Sequence, residues 1–101
     1  MAISLFCYTN FQKDELEKIL AELEAERQEI FATQFIITKA READEIQREI
    51  AMEYGMEVKT VFLVCLNEKA AAARMREVAE IIMKSLGEDR VVVLFENERR
   101  I

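Results

Sequence analysis

The chain has 101 residues, enough for one domain that buries roughly two thirds of its unfolded surface, so no disulfide or metal is needed to hold it together. Hydrophobic residues make up 51%, which excludes a disordered chain, and no apolar run approaches the roughly 18 residues of a membrane span. A formal charge of −6 and a pI near 4.8 set the surface against nucleic-acid phosphates and anionic lipid, so neither nucleic acid nor membrane is an expected partner.

Ala2–Tyr8 reads as a first strand; Ile3, Leu5, Phe6 and Cys7 make it apolar on both faces, and so central. Thr9 and Gln12 have capping-box spacing, with Asn10 as the alternative cap, for a first helix over about Phe11–Arg27. Leu16, Ile19, Leu20 and Leu23 form its apolar stripe, and Asp14 and Glu15 suit its positive end. Ile30–Thr38 is β-branched and aromatic and reads as a second strand, with Thr33 and Gln34 best tolerated at an edge. Thr38 then caps a second helix, whose stripe is Ala40, Ala43, Ile46, Ile50 and Tyr54 and whose stop is Gly55; Met52 falls on its opposite face.

Lys59–Leu66 is the third strand and the most continuously apolar. Asn67 caps a third helix over Glu68–Leu86, with Met75, Val78, Ala79, Ile82 and Leu86 facing one way and Gly87 as its stop. Val91–Phe95 is the fourth strand, and Glu96–Ile101 a charged tail. Every connection contains a helix. The expected fold is therefore α/β, βαβαβαβ, three layers around a four-stranded parallel sheet in the order 2-1-3-4, one domain over residues 1–101. The first helix would cover one face and the second and third the other. The rival, a ferredoxin-like arrangement, needs hairpins.

In a parallel sheet, ligands bind beyond the carboxyl ends of the strands. That rim would hold Tyr8, Thr9, Asn10, Phe11, Thr38, Lys39, Asn67, Glu68, Asn97 and Glu98. Thr9, Asn10, Thr38 and Asn67 are the candidates for holding a small anionic or phosphorylated ligand weakly, and the competing reading is that they only cap helices. No glycine-rich phosphate loop is present, histidine is absent, and Glu68, Glu96 and Glu98 reach the rim in a chain rich in glutamate everywhere. No catalytic activity, metal or cofactor is expected. Cys7 and Cys65 lie in apolar strands and form no CxxC, which reads as two buried, reduced thiols in a cytoplasmic, reducing compartment.

Leu5-Phe6-Cys7 at the end of the first strand resembles the phosphocysteine position of sugar-phosphotransferase IIB domains, which share the four-strand parallel layout. Their small, glycine-containing loop is replaced here by Tyr8-Thr9-Asn10-Phe11. The whole pattern, with Glu-, Lys-, Arg- and Ala-rich helices, short connections and glycine after two of three helices, resembles computationally designed small Rossmann-like α/β proteins. That resemblance implies a structural protein whose function is to fold, with an expression host as its compartment. Under the parallel topology, strands three and four would carry apolar side chains on a face thinly covered by the first helix. A homodimer through that face is one expectation, beside a monomer in which the first helix sits centrally and the charged tail folds over the gap, and edge-to-edge pairing through the fourth strand.

Overall fold

The computed structural model describes residues 4–31, 33–95 and the backbone of 99–100. In chain order the elements are β1 (Ser4–Thr9), α1 (Lys13–Glu26), α2 (Gln28–Phe31), β2 (Phe35–Ile37), β3 (Arg41–Glu42), α3 (Glu45–Glu53), β4 (Thr60–Leu66), a 3₁₀ segment (Lys69–Arg74), α4 (Met75–Leu86), β5 (Val91–Phe95) and β6 (Arg99–Arg100).

Among the described residues all pairings are antiparallel, and the order is β2-β4-β1-β5-β6. β3 pairs with Thr60 and Val61 of β4, while β2 pairs with residues 64 to 66, so β2 and β3 share one edge and the sheet is five strands wide. This overturns the parallel sheet and the order 2-1-3-4. The two apolar runs are central, but β4 inserts between β1 and β2, and β1 lies between β4 and β5. Each βαβ unit is thus split by an antiparallel strand, the ferredoxin-like arrangement, here with α3 inserted in what would be the β2–β4 hairpin. A helix in a connection does not force its flanking strands to be neighbours, and that was the weak step in the parallel expectation.

The register sorts side chains by face. Leu5, Cys7, Phe62, Val64, Val91 and Val93 point to one side, where α1 brings Leu16, Leu20 and Leu23 and α4 brings Met75, Val78, Ala79, Ile82 and Leu86. Burying a large aliphatic or aromatic side chain contributes about 1.5–3 kcal/mol, so this layer is the principal core. Tyr8, Val61, Val92 and Leu94 point to the other side and meet Ala43, Ala51, Met56 and Val58 around α3. The helix expected alone, α1, shares its face with α4, and α3 lies opposite.

Local differences have identifiable causes. The sequence Ile30-Phe31 supplies apolar side chains to one helical turn, α2, rather than to a strand, and both are buried in the principal core. The second strand shrinks to Phe35–Ile37. α1 starts at Lys13 with Gln12 as its cap and no side-chain capping bond, because the Thr9 hydroxyl is engaged elsewhere. Thr38 caps nothing: its Oγ1 accepts from the Leu63 amide at 2.9 Å on the sheet edge. The second long helix begins at Glu45, behind a capping box in which Asp44 accepts from the Gln47 amide at 2.8 Å and Gln47 returns Oε1 to the Asp44 amide at 2.9 Å. α4 stops at Gly87, whose φ of 101° is open to glycine at little cost. Ala2 and Ile3 of the first expected strand, and Asn97 and Glu98 of the expected rim, lie outside the described residues.

Candidate functional site

The four residues read from the sequence as a ligand rim are separated by the antiparallel topology. Thr9 and Asn10 sit together where β1 ends. Thr38 is level with Leu63, midway along β4. Asn67 follows the far end of β4, seven residues beyond the Thr60 that pairs with Thr9, or roughly 23 Å at 3.3 Å per residue.

Each has structural work. Thr9 is fully buried, its hydroxyl bonded to that of Thr60 and accepting from the Phe11 amide at 3.3 Å. Asn10 Oδ1 accepts from Arg90 Nε at 2.9 Å, and the Arg90 guanidinium lies 3.7 Å from the centroid of the Phe11 ring. Asn67 Nδ2 donates to the Thr33 carbonyl at 2.8 Å.

The cysteines point to opposite faces. Cys7, opposite Phe62, is fully buried under α1 and α4, and burial pushes its thiol well above the ordinary value. That leaves no room for the phosphocysteine role suggested by the sugar-phosphotransferase likeness. Cys65, opposite Ser4, is half-buried on the α3 side and accepts from Ser4 Oγ at 3.6 Å. It is not the buried thiol the sequence suggested. Among the described residues no group of three or more His, Cys, Asp or Glu could hold a metal, and no helix is long and apolar enough to cross a membrane.

Surface features of the described residues come next. The first is a cleft of 740 Å³ beyond the Thr60 end of the sheet, lined on opposite sides by Lys13 and Asp14 of α1 and by Arg48 and Met52 of α3. Its lining mixes cations (Lys13, Arg48, Lys59) with carboxylates (Asp14, Glu42, Glu57), so it selects no single ligand charge.

The second is the sheet face on the α3 side. Ala43 and Ala51, with Ile50 and Tyr54 beside them, pack with Tyr8, Val61, Val92 and Leu94, which seats α3 on this face of the sheet. After burial, Asp44 is the next cause of the raised Tyr8 pKa. α3 therefore covers the cross-strand row Val61–Tyr8–Val92, all buried. In the next row Leu63 and Phe6 are half-buried while Leu94, beside Phe6, is fully buried. In the row beyond, Cys65 and Ser4 are half-buried and Ile36 is 49% exposed. Coverage thus fades along the strands. The thinly covered face of the sequence reading does not lie at β5, where residues 91 to 94 are all buried, but at this end of β1, β4 and β2. The signal that could have located it was Asp44-x-x-Gln47, which fixes where α3 begins and hence how little of the face it reaches.

A family model described as CDI System Immunity Component matches residues 1–99. Immunity protein CdiI-2 from Burkholderia pseudomallei (strain 1026b) is 34% identical over 100 residues, spanning 99% of each chain. Among solved structures, a chain of the CdiA-CT/CdiI toxin and immunity complex from Burkholderia pseudomallei superposes with a TM-score of 0.93 at 33% identity, covering 97% of this chain and 95% of that one. These relatives overturn the likeness to designed Rossmann-like proteins and the reading of a purely structural domain. The solved relative comes from a complex of a toxin with an immunity protein, which also displaces the homodimer as the association to look for. With the match running over nearly its whole length, the chain belongs to the CDI system immunity components, a family of immunity proteins and not of enzymes.

Proposed function

We propose that this protein neutralises a toxin of the CdiA-CT kind by binding it in a stoichiometric complex. The observation that carries the reading is the fold likeness, a TM-score of 0.93 at 33% identity, to a chain solved within a toxin and immunity complex. The chemistry is consistent with action by occupancy. The polar groups read as a possible ligand rim, Thr9, Asn10, Thr38 and Asn67, each make hydrogen bonds within the fold. Residues 1–101 act as one domain in this reading, supported by a single sheet against which both helical layers pack. A cytoplasmic location is supported by two free thiols, which suit a reducing compartment.

The test is growth. Cells induced to make the cognate CdiA-CT toxin should stop growing alone and recover when this chain is co-expressed. They should not recover with a version truncated within β4. Growth arrest that persists despite a high level of folded protein contradicts the proposal.

A further inference from the structure

The geometry points to the open end of the α3-side sheet face, together with the adjoining flank of α3, as the surface that docks the toxin; this rests on the immunity reading above. The apolar floor is made of Leu63, Cys65 and Ile36, none fully buried, with Phe6 at its margin where the sheet meets the α3-side core. Its upper wall follows from helix geometry. The half-buried or buried positions Gln47, Ile50, Ala51 and Tyr54 turn α3 toward the sheet, and Arg48 and Met52 turn to the cleft beyond the strand ends. At 100° per residue, Ile46 and Glu53 fall on the remaining flank, above the open rows. Ile46 is 68% exposed there, an aliphatic side chain with no packing role of its own.

The area and charge of this surface select the occupant. A stable protein complex buries roughly 800 Å² on each partner, more than four half-exposed side chains supply, so the α3 flank has to take part. That flank carries Glu53, with Glu45 and Glu49 on the exposed side of α3 next to it, within a stretch, residues 41–57, that holds Glu42, Asp44, Glu45, Glu49, Glu53 and Glu57 against Arg41 and Arg48, a net −4 in a chain of net −6. An uncharged apolar floor beside a carboxylate-rich helix fits a polypeptide that presents an apolar patch bordered on one side by lysines or arginines. A second copy of this chain is a poor fit, because the two-fold contact would bring two such acidic helices to the same interface.

Cys65 reports on this face without any substitution. It lies in the open row, whereas Cys7 is fully buried on the opposite side. Native wild-type protein is treated with a maleimide, alone and after saturation with the purified cognate toxin, and labelling is followed by mass. Cys65 should label readily in the free protein and at least tenfold more slowly in the complex, with Cys7 unlabelled in both. Ile36→Lys and Ile46→Lys, at exposed positions, should each weaken toxin binding at least tenfold with the thermal unfolding midpoint unchanged. Glu80→Lys, on the exposed side of α4, should change it less than twofold. If the complex forms but Cys65 labels at the same rate, the face is wrong and the immunity reading stands. If Cys65 becomes protected in the free protein as its concentration rises, a second copy is the occupant and the inference falls. Failure to form any complex with the toxin removes the immunity reading and this inference together.

Discussion

Replacing Thr60 by valine tests the junction where β1, β4 and the start of α1 meet. Thr9 and Thr60 are the fully buried polar side chains among the described residues, and they form a directed chain of hydrogen bonds. Thr60 Oγ1 donates its one proton to the Phe11 carbonyl at 2.9 Å, so the bond between the two hydroxyls must be donated by Thr9. Valine keeps the shape and removes that oxygen. It leaves the Thr9 hydroxyl without an acceptor and the Phe11 carbonyl without this donor, in a place water does not reach. Each unsatisfied buried group costs about 1–3 kcal/mol, offset in part by the added methyl, so we expect a loss of about 2–4 kcal/mol. Thr9→Val gives up the weaker 3.3 Å bond from the Phe11 amide and should cost less, about 1–2 kcal/mol. Because the two hydroxyls share one bond, the double variant should cost about 1 kcal/mol less than the sum of the singles. Urea unfolding with an unchanged slope measures all three. A Thr60→Val protein within about 0.5 kcal/mol of wild type, or strict additivity, would refute the hydrogen-bond chain.

Three further outcomes concern the ionisable core, the α3 cap and the end of α4. Cys7 and Tyr8 are acids whose folded pKa is raised, mainly by burial, so the unfolded chain releases their protons first; stability is full below the ordinary thiol value of 9.0 and declines as pH rises past it. The Cys7 share is about 1.4 kcal/mol per pH unit, Tyr8 adds to it above 10.0, and Cys7→Ala should flatten the fall between those values in a pH series of urea unfolding curves. Asp44→Ala removes the side-chain cap of α3 and should cost about 1 kcal/mol, with amide exchange accelerated first at the start of that helix. Gly87→Ala should cost about 1–3 kcal/mol through backbone strain alone, because a Cβ there meets nothing closer than 3.5 Å while φ stays at 101°; a calorimetric midpoint equal to wild type would refute that reading.

The central strands were legible because burial on both faces leaves a direct mark, whereas the two-residue strands β3 and β6 leave none. Val61 to Leu66 and Val91 to Phe95 alternate between two apolar layers, and no polar residue interrupts them. The stripes of α1 and α4 were legible for the same reason: Leu16, Leu20 and Leu23, and Val78, Ala79 and Ile82, recur at helical spacing and are buried. Strand direction was not legible, because it depends on which strand slides between which, and the hydrogen-bond register that decides it leaves no residue-type signature. Ile30-Phe31 could serve a strand or a helical turn, and only the nearby turn at Thr33 and Gln34 settles the matter. The expected rim failed to assemble for the same topological reason, since Thr9 and Asn67 would share an edge only if β1 and β4 ran in parallel. The open face was sensed as apolar excess on β4 but extended to β5 instead of β1 and β2, because the helix was started at Thr38 instead of Glu45 and placed on the same side as α4 and opposite α1.

Titration of the purified protein with its purified cognate CdiA-CT toxin in a calorimeter tests the central claim most directly. A saturable complex of one chain to one toxin, with a Kd of about 10⁻⁷ M or tighter and a negative heat-capacity change from apolar burial, is the predicted result. No heat of binding, and no heteromeric species in sedimentation of the same samples at about 10 μM of each protein, would contradict it.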